Sequence, residues 1–152
     1  MNNPTTVERV SDTEVRVTRV VNAPVRKVYA AWTRAELFRQ WWVPKSAPVK
    51  LLSCEMDVRV GGGYKLVFEY QGGEMAFFGK YTEVVPEARL VWTNDESGDA
   101  GQVSTVTFED LGDKTRVVMS DRYASKYALD AGIGSLDGAS ETFDQLEALV
   151  TA

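Results

Sequence analysis

The hydrophobic positions of this chain alternate, recur at helical spacing, alternate again through six segments, and end in a second helical stretch. Glu14 to Val21 sets Val15, Val17 and Arg19 on one side against Arg16, Thr18 and Val20 on the other, a period-two pattern that predicts a strand. Asn22-Ala23-Pro24 ends it and opens a helix, because proline suits a first helical turn. Val25, Val28, Tyr29 and Trp32 give that helix one apolar face. Thr33 and Glu36 stand three apart ahead of Leu37 and Phe38, the spacing of a capping box, which predicts a short second helix over 34–41. Pro44 and Pro48 prevent its continuation.

Strands are predicted next over 49–59, 63–71, 74–85, 88–94, 102–109 and 114–122. Gly61-Gly62-Gly63, Gly72-Gly73, Pro86, the polar loop 94–101 and Gly112-Asp113 punctuate them. Connections this short leave no room for crossover helices, so the sheet is expected to be antiparallel. Between Ser125 and Val150, the stripe Leu129, Ile133, Leu136, Phe143, Leu146 and Val150 predicts one long amphipathic helix. Gly132, Gly134 and Gly138 inside it each cost roughly 1 kcal/mol relative to alanine. They call for a packing reason, a late start or a bend. Residues 1–13 read as a flexible N-terminal segment and 14–152 as a single domain.

Composition narrows the chemistry. A chain of 152 residues with 44% apolar residues can bury a substantial core without staples. Cys54 is its only cysteine, which rules out an intrachain disulfide and fits a reducing compartment. Met1 to Glu14 lacks the apolar stretch of a secretory signal, and no apolar run approaches the ~18 residues that span a bilayer. The expectation is a cytoplasmic protein without membrane association. A net charge of −5 argues against nucleic acid. The chain contains no histidine. Ser-His-Asp and Cys-His catalysis are therefore excluded, and a metal site would need carboxylates around a lone Cys54. Neither a metal nor a cofactor is expected.

The words of the sequence and their order resemble a known family. Ala23-Pro24 with Val28-Tyr29 and Ala31-Trp32-Thr33, then Leu37, Trp41-Trp42 and Pro44, is similar to the opening of the Hsp90-ATPase-activator-like family. Asp57-Val58-Arg59-Val60-Gly61-Gly62 resembles its second word. Gly79 to Pro86 with Arg89-Leu90-Val91-Trp92-Thr93 resembles the third. Thr105 to Glu109 with Thr115-Arg116-Val117, and Gly138 with Glu141 to Leu146, resemble the later strands and the closing helix. The resemblance covers about residues 14–150. It implies the α+β helix-grip fold of the START/Bet v 1-like superfamily. In that fold an antiparallel sheet of about seven strands curls around a long C-terminal helix, with two short helices between the first two strands. The eukaryotic activators carry an additional N-terminal domain for which this chain has no room, so the co-chaperone role is not carried over. The superfamily includes hydrophobic-ligand carriers, hormone receptors and aromatase/cyclases, and fold alone does not choose among them.

Candidate site residues follow from the alternation. Trp41, Trp42 and Pro44 read as a plug at one end of the sheet, as a cavity wall, or as both. Asp57 and Arg59 share a strand face and suit an ion pair at the glycine turn. A strand follows that turn instead of a helix, which excludes a phosphate loop. Tyr64, Leu66, Phe68 and Tyr70 alternate on one face, as do Phe77, Gly79 and Tyr81, and Leu90 and Trp92. Such a set either forms a dry core or lines a mostly apolar chamber. The expected lining is Trp42, Tyr64, Leu66, Phe68, Phe77, Tyr81, Trp92, Met119, Ile133, Leu136 and Phe143. Asp121-Arg122-Tyr123 places charge near the mouth, yet a surface role is expected for Asp121 as for Glu55, Glu69 and Glu74. Cys54 reads as a small buried hydrophobe. The leading expectation is a non-catalytic module for a small apolar or aromatic molecule. A cavity enzyme of cyclase or hydrolase type, or an interaction or chaperone-accessory module, is the alternative. A homodimer through an exposed sheet edge is a further option.

Overall fold

In a computed structural model that describes residues 3–95, 102–132 and 138–152, the alternating segments all become strands. The elements run β1 (Thr5–Arg9), β2 (Glu14–Val21), α1 (Val25–Thr33), α2 (Ala35–Phe38), β3 (Lys50–Met56), β4 (Gly63–Tyr70), β5 (Gly73–Val85), β6 (Arg89–Asn94), β7 (Gln102–Asp110), β8 (Thr115–Arg122), α3 (Lys126–Gly132) and α4 (Ala139–Thr151). The strands form one sheet in the order β1-β2-β8-β7-β6-β5-β4-β3. Every pairing is antiparallel. Consecutive strands are joined as hairpins. The exception is β2 and β3, which are separated by α1 and α2 and do not pair; β2 instead pairs with β8, the last strand, and the sheet stays open with β1 and β3 at its edges. With the helices on the inner face, this is the expected α+β helix-grip arrangement.

One face of the sheet is apolar because of the period-two pattern. Val15, Val17 and Val21 on β2, Leu66 and Phe68 on β4, Val106 and Phe108 on β7, and Val117 and Met119 on β8 are all buried. Val28 and Trp32 of α1, and Phe143, Leu146 and Val150 of α4, cover part of that face. Trp41 is the plug. It is fully buried, its indole N–H donates to the Ala31 carbonyl at 2.9 Å, and its ring meets Trp32 edge-on at 4.8 Å. Arg19 follows the strand alternation inward, so a guanidinium sits in the core at 1% exposure. It donates to Asp144 at 2.9 Å and to Glu147 at 3.4 Å, both on α4.

Four expectations need correction. The segment read as flexible contains β1, which pairs with β2 over Thr5↔Arg19 to Arg9↔Val15 and makes the strand count eight. A strand edge carries unpaired N–H and C=O groups, and β1 satisfies those of β2. The capping box does not form. Thr33 Oγ1 donates back to the Tyr29 carbonyl, Glu36 pairs with Arg34, and Arg34 is the N-cap of α2. That helix ends at Phe38 rather than Trp41. Finally, the C-terminal helical stretch is divided into α3 and α4. Gly138 supplies a packing reason at the division, since a Cβ there would lie 2.9 Å from Pro44 Cγ. Gly134, Ile133 and Leu136 lie outside the described residues.

The Asp57–Gly63 turn is structural. Arg59 pairs with Asp57 at 2.9 Å on the surface, and exposed pairs of this kind add little stability. Gly62 is required because a Cβ would fall 2.1 Å from the Asp57 carbonyl oxygen.

Candidate functional site

Between the inner face of the sheet, the α1–α2 region and α4 lies a cavity of about 580 Å³. Its walls come from every layer of the fold. Trp32 and Phe38 arrive from the helices, the 42–49 connection adds Trp42, Val43, Pro44, Ala47 and Val49, and α4 adds Ala139, Thr142 and Phe143. The sheet supplies Tyr64, Leu66 and Phe68 from β4, Phe77 and Tyr81 from β5, Trp92 from β6 and Met119 from β8. Trp42, Tyr64, Leu66, Phe68, Phe77, Tyr81, Trp92, Met119 and Phe143 are thus brought to one chamber. Their roles differ. Phe143 is 1% exposed and doubles as core, whereas Phe77 is 37% exposed and stands edge-on to Phe68 at 5.3 Å.

The 42–47 wall is held by α4. Gln145 Nε2 donates to the Trp41 and Val43 carbonyls, both at 2.9 Å, and its Oε1 accepts the Lys45 N–H at 2.8 Å. Glu141 accepts from the Ser46 N–H at 3.0 Å and from the Ser46 hydroxyl. These two bonds from Ser46 hold the Glu141 carboxyl below the usual carboxylate range.

One end of the chamber is polar. Tyr64 donates to the Thr93 carbonyl at 2.8 Å and lies 3.2 Å from Asn94 Oδ1. Asn94 Nδ2 donates to Ser104 Oγ at 3.0 Å, and Ser104 donates to Asp121 Oδ1 at 2.5 Å. Asp121 was expected at the surface, as were Glu55, Glu69 and Glu74. Those three glutamates are exposed, but Asp121 lines the chamber. Period two explains the placement: Thr115, Val117 and Met119 point inward on β8, and Asp121 is next in that series. The same alternation was readable in the sequence, where a general preference for exposed carboxylates outweighed it. Burial raises the Asp121 carboxyl above its ordinary range, and the Ser104 hydrogen bond opposes the shift. Tyr123, beside it, is pushed up to about 12 by burial and then by the charge of Asp121. Burial also drives the Tyr81 phenol well above its ordinary range. Cys54 is half-buried, and burial raises its thiol too, which makes it a poor nucleophile. Among the described residues, no cluster of three acidic or cysteine side chains is arranged to hold a metal ion.

A family model described as Activator of Hsp90 ATPase homolog 1-like protein matches residues 22–151. The chain belongs to this family. Solved structures similar to this family member share its architecture over nearly the full length. A crystal structure from Chromobacterium violaceum is 28% identical, covers 93% of this chain and 99% of its own, and superposes with a TM-score of 0.77. One from Nitrosomonas europaea is 24% identical over 94% of this chain and 97% of that one, with a TM-score of 0.82. The solution structure of the AHSA1-like protein from Aeromonas hydrophila is 18% identical, covers 90% of this chain and 92% of its own, and has a TM-score of 0.69. No protein with a curated description matches.

In this Activator of Hsp90 ATPase homolog 1-like domain, Asp121 carries a testable pH signature. A carboxyl whose folded pKa is raised binds protons more tightly in the folded than in the unfolded state. Stability then falls as pH rises from the ordinary carboxylate range through the folded pKa. Asp121→Asn keeps an acceptor for Ser104 and removes the buried charge. The variant is expected to be more stable than the parent near neutral pH, by roughly 1–3 kcal/mol. In the acid range, where the parent carboxyl is neutral, the gain should vanish. Thermal melts at the two pH values decide; an equal or lower melting temperature for the variant near neutrality counts against the buried charge.

Proposed function

We propose that this domain is a binding module for one small, mostly apolar or aromatic molecule held in the chamber. The observation that carries the reading is the chamber itself: about 580 Å³, walled largely by aromatic and aliphatic side chains, with polar groups gathered at one end. Small-molecule sites commonly occupy roughly 300–1,000 Å³ and have this composition. Burial of apolar ligand surface, at about 25 cal/mol per Å², would drive binding. Tyr81 and Tyr123 are the orienting candidates among the chamber's tyrosines, since neither hydroxyl makes a hydrogen bond among the described residues, while Tyr64 is committed to Thr93 and Asn94. The single unpaired Cys54 fits a cytoplasmic setting. None of the described helices is long and apolar enough to cross a membrane.

A second reading, a cavity enzyme of cyclase or hydrolase type, is favoured by one feature. Asp121 is a carboxyl inside the chamber with its proton affinity raised, as a general acid or base requires.

Native mass spectrometry of freshly purified protein, with extraction of any retained molecule, tests both readings. Retained cargo, or a change in tryptophan fluorescence on titration with apolar and aromatic compounds, is the expected result. The indoles of Trp32, Trp42 and Trp92 all line the chamber and would report occupancy. No cargo and no response across such a library would remove the binding reading. Conversion of a bound compound on incubation would replace it with the enzymatic one.

A further inference from the structure

Ionisable side chains reach the interior of this fold in two settings, and the protein treats them differently. Arg19, at 1% exposure, meets two carboxylates, Asp144 and Glu147. Among the described residues, Asp121 makes no ion pair. The described residues around the chamber include neither lysine nor arginine. Arg122, next in sequence, is largely exposed and reaches Glu14 at 3.5 Å. Arg16 on the neighbouring strand pairs with Glu8 and Glu14. The segments 96–101 and 133–137 contain no lysine or arginine in their sequence.

The carboxylate is also only half used. Ser104 occupies Oδ1, and the relay through Asn94 to Tyr64 holds that oxygen in place. Oδ2 takes no hydrogen bond among the described residues, and it is not sealed in protein as the unpartnered Arg19 Nε and Trp32 Nε1 are. Its free side is the chamber. Strand register places Trp92, Ser104 and Asp121 in one row across β6, β7 and β8, with Tyr81 of β5 opposite Trp92. Small Ser104 stands between indole and carboxylate and leaves space over the row.

We infer that the molecule this chamber accepts carries a protonated amine, which sits on Asp121 Oδ2 and faces the Trp92 and Tyr81 walls, with its apolar body toward Phe143 and Trp42. The inference rests on the binding reading above and names the class of ligand. An ammonium supplies both what Oδ2 lacks as an acceptor and what the buried charge lacks as a counter-ion. A neutral hydroxyl would supply only the first, and an anion would be repelled. Charge-assisted hydrogen bonds are about twice as strong as neutral ones, and aromatic faces add cation–π attraction. The net charge of −5 favours the approach of a cation.

Isothermal titration calorimetry with three matched probes, naphthylethylamine, naphthylethanol and naphthylacetate, tests it near neutral pH. The amine is expected to bind at least about tenfold more tightly than the alcohol, which corresponds to about 1.4 kcal/mol, and the carboxylate more weakly than either. In Asp121→Asn the amine should fall to within about threefold of the alcohol. Equal binding of amine and alcohol by the parent overturns the amine inference and leaves the apolar chamber standing. An amine preference that survives Asp121→Asn also overturns it, because the cation would then sit elsewhere. If none of the probes binds but a neutral apolar library does, the amine inference alone falls; if neither binds, both readings fall. Should the variant not fold, as judged by circular dichroism, the parent's ranking of the three probes decides.

Discussion

Glu147→Ala is expected to destabilise the protein by about 3–5 kcal/mol, the cost of stripping a buried charge of its partner. Glu147 is 2% exposed and stands 3.4 Å from the guanidinium of Arg19, which is 1% exposed. The other oxygen of Glu147 accepts the Asn22 N–H at 2.7 Å, so the carboxylate also ties the turn between β2 and α1 to α4. Arg19 keeps Asp144 and the Thr5 hydroxyl, but Asp144 is half exposed and therefore a screened partner. For a chain of this size each kcal/mol moves the melting temperature by about 2–4 °C, so a drop of roughly 6–20 °C is expected. Replacing both partners with apolar residues, Arg19→Met with Glu147→Leu, should recover most of the loss, because the penalty lies in the unpaired charge rather than in the absence of the pair. Thermal melts of the two single variants and the double variant form the cycle that measures this. A loss below about 1 kcal/mol for Glu147→Ala would mean that Asp144 alone suffices for Arg19.

Phe143→Ala is expected to cost about 3–5 kcal/mol as well, through lost packing rather than lost charge. Phe143 is 1% exposed and contacts the rings of Trp32 and Trp41, each at 6.3 Å between centroids. It also lines the chamber, so the volume it vacates joins an existing space. Leu146, one turn further along α4, is fully buried but does not reach the chamber. That difference makes a control. Denaturant titration with a saturating neutral aromatic probe should restore part of the Phe143→Ala loss, because the probe fills the enlarged space, and should restore less of the Leu146→Ala loss. Equal restoration in the two variants would show that the probe does not occupy the Phe143 end.

Why some of this was readable in the sequence and some was not follows from the range of the interactions. Period-two alternation is local, and it placed six strands within a residue or two of their observed ends as well as the aromatic faces of β4, β5 and β6. It also put Arg19 on the same side as Val15 and Val17. The carboxylates that make the position tenable, Asp144 and Glu147, lie more than a hundred residues away. β1 was missed for the same reason: Thr5 to Arg9 carries too little apolar signal, and only the open edge of β2 makes it a strand. Thr33 and Glu36 had the correct spacing for a cap. Thr33 bonded to the preceding turn and Glu36 to Arg34, which leaves Arg34 to begin α2. Asp121 was a different kind of miss. The pattern pointed inward and the residue type pointed outward, and the chamber reconciles them by offering a polar end.

The fifth strand has a consequence for the chamber. β5 is thirteen residues long, and its first part, Gly73 to Lys80, pairs with β4. From Tyr81 onward it pairs with β6, with a register break between Tyr81 and Glu83. In strand pairing, β3 and β4 reach β6 only through this strand, while the Tyr64 hydroxyl bridges directly from β4 to Thr93 on β6. The residue at the break, Tyr81, is itself a wall of the chamber. The irregularity of the sheet and the wall of the chamber therefore meet at a single phenol ring.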